Sequence, residues 1–231
     1  SHDGGSKNIE AVKSSFEVLK NLSFSAEQIV KIASNVGGSK NIEAVKNSFE
    51  SFNNLNFSAE EIVKIVSHGG GSKNIGAVKN GFEALMSLNF SAEEIVKIAS
   101  HGGGSKNIEA VKNSFEELKS LNLSSGNIVK IVSHNGGSRN IDAVKNSSKA
   151  LKNLNLSAEQ IVKMVSYCGG SKNIEAVKNS LNELMNLNLS SEQIVKIVSH
   201  PGGSRNIEAV KKSFELLKDL NFSAGQIVKI V

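Results

Sequence analysis

The residues with the most chemistry in them are five histidines and one cysteine. His2, His68, His101, His134 and His200 each follow a serine, and each precedes a Gly-Gly pair by one residue. A metal ladder built on them would need carboxylate or thiol partners at ligand spacing. None recurs, so no metal site and no cofactor is expected. Cys168 stands alone, which rules out an internal disulfide or a cysteine zinc site. It is a candidate reactive thiol by exposure alone, with no basic or histidine partner recurring nearby. Serines are abundant but sit where helices would be capped, not beside a general base. The sequence therefore reads as a protein without catalytic machinery.

The histidines belong to a wider pattern. Before each Gly-Gly stands a variable pair: His2-Asp3, Asn35-Val36, His68-Gly69, His101-Gly102, His134-Asn135, Tyr167-Cys168 and His200-Pro201. Serine always precedes the pair and Gly-Gly-Ser always follows it. A fixed scaffold with a variable tip in every unit predicts serial recognition, one element per unit. Unconstrained loop tips also vary. That reading predicts similar drift at the other loop, yet Asn-Leu-Asn-Phe-Ser changes little there.

Charge placement adds a second clue. After each Gly-Gly-Ser comes Lys7, Lys40, Lys73, Lys106, Arg139, Lys172 or Arg205. A cation at a helix start opposes the helix dipole, at a cost of roughly 0.3–1 kcal/mol. A phosphate would compensate, because free helix-start amides bind anions and glycine permits close approach. Glu10, Glu43, Glu109, Asp142, Glu175 and Glu208 lie three residues on, so a solvated intrahelical ion pair is the plainer alternative.

These residues are carried by an internal repeat. Gly-Gly-Ser begins at Gly4, Gly37, Gly70, Gly103, Gly136, Gly169 and Gly202, in steps of 33, and seven steps account for all 231 residues. Ile-Val-Lys recurs with the same step from Ile29 to Ile227. One unit, Phe24 to Asn56, starts with Ser25 and Gln28 in capping-box spacing and with Phe24 and Ile29 placed as a hydrophobic staple. Ile29, Ile32 and Ala33 form a stripe with Val30 beside it, and Gly37-Gly38 ends this short helix. Ser39 is expected to cap a longer helix with Ile42, Val45, Phe49, Phe52 and Leu55 on one face. Asn53, Asn54 and Asn56 end it.

A single hairpin cannot cover its apolar face, but stacked copies cover one another. The expectation is an all-α solenoid of two-helix, 33-residue repeats. As one array over 1–231, it has a partial repeat at 1–23, full repeats at 24–56, 57–89, 90–122, 123–155, 156–188 and 189–221, and a partial repeat at 222–231. In this frame the array looks like an excerpt of a longer one, with uncapped ends prone to fray or stack. One Pro, no Trp and one Tyr against 20 Gly suit many small packing units better than one large core. The net charge of +5 suits a polyanionic partner. No apolar run approaches the roughly 18–20 residues of a membrane helix, and Ser1 to Gly5 do not open a signal peptide. An intracellular, reducing setting without membrane contact is expected.

The unit FSAEQIVKIASNVGGSKNIEAVKNSFESFNNLN resembles the DNA-binding repeat of transcription-activator-like (TAL) effectors. It is most similar to their divergent relatives from marine metagenomic sequences. The shared elements are a capped first helix, an Ile-Ala-Ser run, a variable pair, Gly-Gly and a second helix with matching apolar spacing. The resemblance spans the chain. It implies a right-handed superhelix that follows the major groove of double-stranded DNA, one base per repeat. It implies that His2, Asn35, His68, His101, His134, Tyr167 and His200 brace the loops. Asp3, Val36, Gly69, Gly102, Asn135, Cys168 and Pro201 would touch bases. Phosphate would be held at Gly4, Gly5, Gly37, Gly38, Gly70, Gly71, Gly103, Gly104, Gly136, Gly137, Gly169, Gly170, Gly202 and Gly203 with the following Lys or Arg. A monomer on DNA acting in a nucleus is the family expectation.

Groove chemistry stands beside this. Asp3 can accept from the cytosine amino group and Asn135 can donate to purine N7. Gly69 and Gly102 leave room for the thymine methyl, while Val36, Cys168 and Pro201 point to no base. The chain also departs from the family. No proline kinks the second helix, Ser-Lys or Ser-Arg replaces Lys-Gln, and the unit has 33 residues instead of 34. Ser148 stands where other copies carry Phe16, Phe49, Phe82, Phe115, Leu181 and Phe214, which predicts a weaker, flexible joint in the fifth copy. Two rival partners are a protein, as for tetratricopeptide or HEAT arrays, and single-stranded RNA. The first lacks its Trp/Tyr pattern here. The second places its code on helices, whereas this variable pair lies in a loop.

Overall fold

The computed structural model describes residues 3–231, with side chains from residue 5 onward. His2, the side chain of Asp3 and the surroundings of Gly4 lie outside the described residues. All nineteen elements among the described residues are α-helices. They fall into two compact units, Ser1–Asn113 and Ser114–Val231.

The first unit contains α1 (Asp3–Ser14), α2 (Phe16–Asn21), α3 (Ala26–Ser34), α4 (Ser39–Asn47), α5 (Phe49–Asn54), α6 (Ala59–Ser67), α7 (Ser72–Ser87), α8 (Ala92–Ser100) and α9 (Ser105–Asn113). The second contains α10 (Phe115–Ser120), α11 (Ser125–Ser133), α12 (Ser138–Asn153), α13 (Ala158–Ser166), α14 (Ser171–Asn179), α15 (Leu181–Asn186), α16 (Ser191–Ser199), α17 (Ser204–Lys212), α18 (Phe214–Asp219) and α19 (Ala224–Ile230). In the first unit α1, α4, α7 and α9 stack in order, and α3, α6 and α8 stack beside them. In the second, α12, α14 and α17 form one row and α11, α13, α16 and α19 the other. Each unit is thus a solenoid of helical hairpins, like packed on like.

Local chemistry fixes the short helices. Ser25 N–H donates to Gln28 Oε1 at 2.9 Å and Gln28 N–H donates to Ser25 Oγ at 3.2 Å. The same reciprocal capping box opens α6, α8, α11, α13, α16 and α19. The turn into each hairpin is equally regular. Asn56 takes a left-handed φ of 54°, as do Asn89, Asn122, Asn155, Asn188 and Asn221 at 50–55°. Asn56 N–H donates to Asn53 O, and Phe57 N–H donates to Phe52 O at 2.9 Å. This is a Schellman stop, and its apolar contact is the Phe52 ring set edge-on to Phe57 at 5.3 Å.

The long helix differs from the sequence expectation in three ways. Ser39 does not cap it. Gly38 is the N-cap and Ser39 is the first helical residue. The expected continuous helix is broken after Asn47, at Ser48 (φ −113°), and equivalently at Ser15 and Ser180. It runs unbroken only in α7 and α12. Finally, Ser48 rather than Phe49 belongs to the buried stripe with Ile42, Val45, Phe52 and Leu55. Ser48 N–H bonds Val45 O at 3.1 Å, tightening that turn and rotating serine inward.

The reason is close approach. Gly81 holds the same position, and a Cβ there would sit 3.4 Å from Ile108 Cγ2 of the next repeat. Only small residues fit at this crossing. The aromatic that follows is half-exposed at Phe49, Phe82, Phe115 and Phe214. Lys119 lies over the Phe115 ring at 5.6 Å and Lys218 over Phe214 at 5.8 Å. Ser148 therefore replaces a half-buried ring, not a core one, and α12 passes straight through it. The expected joint does not interrupt that helix.

Candidate functional site

Between the two helices of each hairpin lies a loop made of the variable pair and Gly-Gly. The first helix ends on serine, and the first residue of the pair is extended, from Asn35 (φ −70°, ψ 157°) to His200 (φ −72°, ψ 155°). The second residue forms the tip. Gly37 (φ 109°) and Gly38 (φ 41°) then reverse the chain in conformations that disfavour a side chain. Gly38 N–H closes the loop on Asn35 O at 2.9 Å. The same closure joins Gly71 to His68, Gly104 to His101, Gly137 to His134, Gly170 to Tyr167 and Gly203 to His200.

Six loops therefore share one backbone, and they differ at the tip. Val36 is 98% exposed. Gly69, Gly102, Asn135, Cys168 and Pro201 are exposed as well. The first repeat differs, because α1 already includes Asp3, Gly4 and Gly5. The reading loop expected at Asp3 is helical from Asp3 onward.

Bracing comes from two sources. Asn35 Nδ2 donates to Lys31 O at 2.9 Å, and His68 Nδ1 lies 2.7 Å from Lys64 O. These contacts occupy carbonyls that the end of the first helix would leave bare. The second source was not apparent from the sequence. Asn41 is fully buried, and its Nδ2 donates to Ile32 O at 3.3 Å and to Val36 O at 3.2 Å. Asn74, Asn107, Asn140 and Asn173 repeat this arrangement from equally buried positions, and Asn206 from a partly exposed one. Asn8 Nδ2 instead reaches Ala33 O of the following repeat at 3.2 Å. The available signal was an asparagine in all seven copies, two residues after Gly-Gly-Ser's serine.

Asn41 also acts forward. Its Oδ1 accepts from Ser72 N–H at 2.8 Å, and Asn74 Oδ1 accepts from Ser105 N–H at 2.8 Å. Gly71 lacks a capping oxygen, so the preceding repeat caps the helix in its place. The next two amides are also occupied: Lys73 N–H donates to Gly70 O and Asn74 N–H to Gly71 O.

This narrows which groups could serve the expected phosphate contacts. In six loops the amides of the second glycine, the Lys or Arg and the Asn donate within the chain, and the amide of the intervening serine does so at Ser72 and Ser105. What faces solvent is a cationic side chain. Lys7, Lys40, Lys73, Lys106, Arg139, Lys172 and Arg205 are exposed. Among the described residues, the six from Lys40 to Arg205 enter no ion pair, so the pairing with the acid three residues on does not form. Ion pairs occur instead on the short helices, Glu60–Lys64 at 2.9 Å and Glu93–Lys97 at 2.8 Å. Lys64 holds the Glu60 carboxyl below the ordinary carboxylate range, and Lys97 does the same for Glu93.

Neighbouring loops meet in a cavity of about 460 Å³ lined by His134, Asn135, Tyr167, Cys168 and Lys172. Braces, tips and a cation of successive repeats are thus brought together. Among the described residues, no three His, Cys, Asp or Glu side chains are grouped to hold a metal. No helix among them is long and apolar enough to cross a membrane.

No protein-family profile matches the chain, and no curated protein does. One solved structure similar to it is described as the crystal structure of a de novo designed helical repeat protein. It is 19% identical, and the match covers 98% of this chain and 90% of that one, with a TM-score of 0.14.

Proposed function

We propose that this repeat array binds double-stranded DNA sequence-specifically, each loop presenting the second residue of its variable pair to one base in the major groove. The observation that carries the reading is the uniformity of six loops whose backbones close in the same way while an exposed tip changes. Such an arrangement varies the reader without moving the scaffold. One exposed cation beside every tip supports a phosphate backbone as the partner. The protein acts as a monomer on DNA, without a cofactor.

Selection from a pool of random duplexes tests this. The expected result is an enriched motif with one base per repeat, a purine opposite Asn135 and thymine opposite Gly69 and Gly102. Enrichment of single-stranded RNA or of a protein partner, with no duplex motif, overturns it.

A further inference from the structure

The buried asparagines sit between loops as well as within them. Asn74 Nδ2 donates to Ile65 O at 3.2 Å and His68 O at 3.4 Å, holding its own loop, while its Oδ1 caps Ser105 of the next repeat. Asn41 spans the loops at Val36 and Ser72 in the same way. The following repeat packs onto this device. A Cβ on Gly71 would lie 2.6 Å from Asn41 Oδ1 and 3.2 Å from Val36 O, and one on Gly104 would lie 2.5 Å from Asn74 Oδ1. The backbone of one tip therefore rests on the second glycine of its neighbour.

In the second unit the packing persists without the forward bond. Asn140 Oδ1 lies against Gly170 and Asn173 Oδ1 against Gly203, and neither oxygen finds a donor.

From this arrangement we infer that the asparagines are positioning residues that latch each reading loop to the next. The base preference of one repeat then depends on the integrity of the repeat before it. This rests on the proposed DNA reading for its functional consequence, but the latch itself does not. Coupling is strong through Asn41 and Asn74, where the cap forms, and weaker through Asn140 and Asn173.

Amide hydrogen exchange on the free protein tests the latch, and competition with singly substituted duplexes tests its consequence. Asn74→Ala is expected to speed exchange at Ser105 about ten-fold, the loss of one hydrogen bond, and to loosen Gly71 in its own loop. Lys172 in the second unit stays unchanged. Asn74→Asp keeps the acceptor and is expected to preserve Ser105 while loosening Gly71. Gly104→Ala displaces Asn74 from the other side and is expected to loosen both.

In binding, Asn74→Ala flattens discrimination opposite Gly69 and Gly102 and leaves that opposite Asn135 intact. Unchanged exchange at Ser105, or an equal loss of protection in every repeat, overturns the latch. Accelerated exchange at both loops, in a protein whose wild type discriminates no base, supports the latch and sinks the DNA reading instead.

Discussion

At the residue scale, single side chains decide where each hairpin turns. Asn122 holds φ 54° just past the end of α10. An L residue there strains against its own carbonyl, and asparagine tolerates the strain better than alanine does. Asn122→Ala is expected to lower unfolding free energy by about 1 kcal/mol, and Asn122→Gly to match or exceed the parent. Urea midpoints compare the two, and equal midpoints for Ala and Gly contradict the argument. The surface ion pairs work the other way. Lys64 depresses the Glu60 carboxyl pKa, so the pair contributes above the ordinary carboxylate pKa and loses its contribution as pH falls through the depressed value. Both groups are exposed and screened. Glu60→Gln should therefore produce a small loss at neutral pH that vanishes in acid and in high salt. A loss that persists at low pH would show that Glu60 acts through something other than its charge.

At the element scale, the break in the long helix is the main departure from the sequence pattern. The buried hydroxyls of Ser114, Ser147 and Ser180 have no hydrogen-bond partner among the described residues. A buried hydroxyl left unpaired costs about 1–3 kcal/mol, and alanine has nearly the same shape. Replacing each by alanine is expected to raise stability by about 1 kcal/mol, read from thermal or urea unfolding; a drop would mean that the hydroxyls are paired in solution. The register of this helix was hidden in the sequence for a physical reason. Phe49 outweighs Ser48 in any hydrophobic count, but the crossing with the neighbouring repeat admits only a small side chain. That constraint is tertiary and leaves no trace in one repeat. By contrast, the capping box at Ser25 and Gln28 and the loop between the helices were legible because each depends on residues within three or four positions of one another, and the period was legible because whole motifs recur every 33 residues. Asn41 escaped notice because a polar residue in the first turn of a helix ordinarily faces water. Its burial follows from the loop folding over it, and its seven-fold recurrence was the only hint.

At the scale of the whole molecule, the question is how an array with a net charge of only +5 would grip a polyanion. Most helix-start amides already donate within the chain, so affinity is expected to come mainly from charged side chains. Seven exposed cations recur at one place per repeat, and the six from Lys40 to Arg205 are free of ion pairs among the described residues. If each neutralises one phosphate, the logarithm of the binding constant falls with the logarithm of salt concentration at a slope of about −6, from about −0.9 per contact. Lys73→Gln should remove about one unit of that slope and weaken binding equally on matched and mismatched duplexes, because phosphate contacts carry no sequence information. Lys73→Arg should keep both slope and affinity. Titrations across a series of salt concentrations measure all three proteins. A parent slope near −1 would leave the cation ladder without a role in binding, and a Lys73→Gln loss confined to one base identity would move that lysine from the backbone to the code.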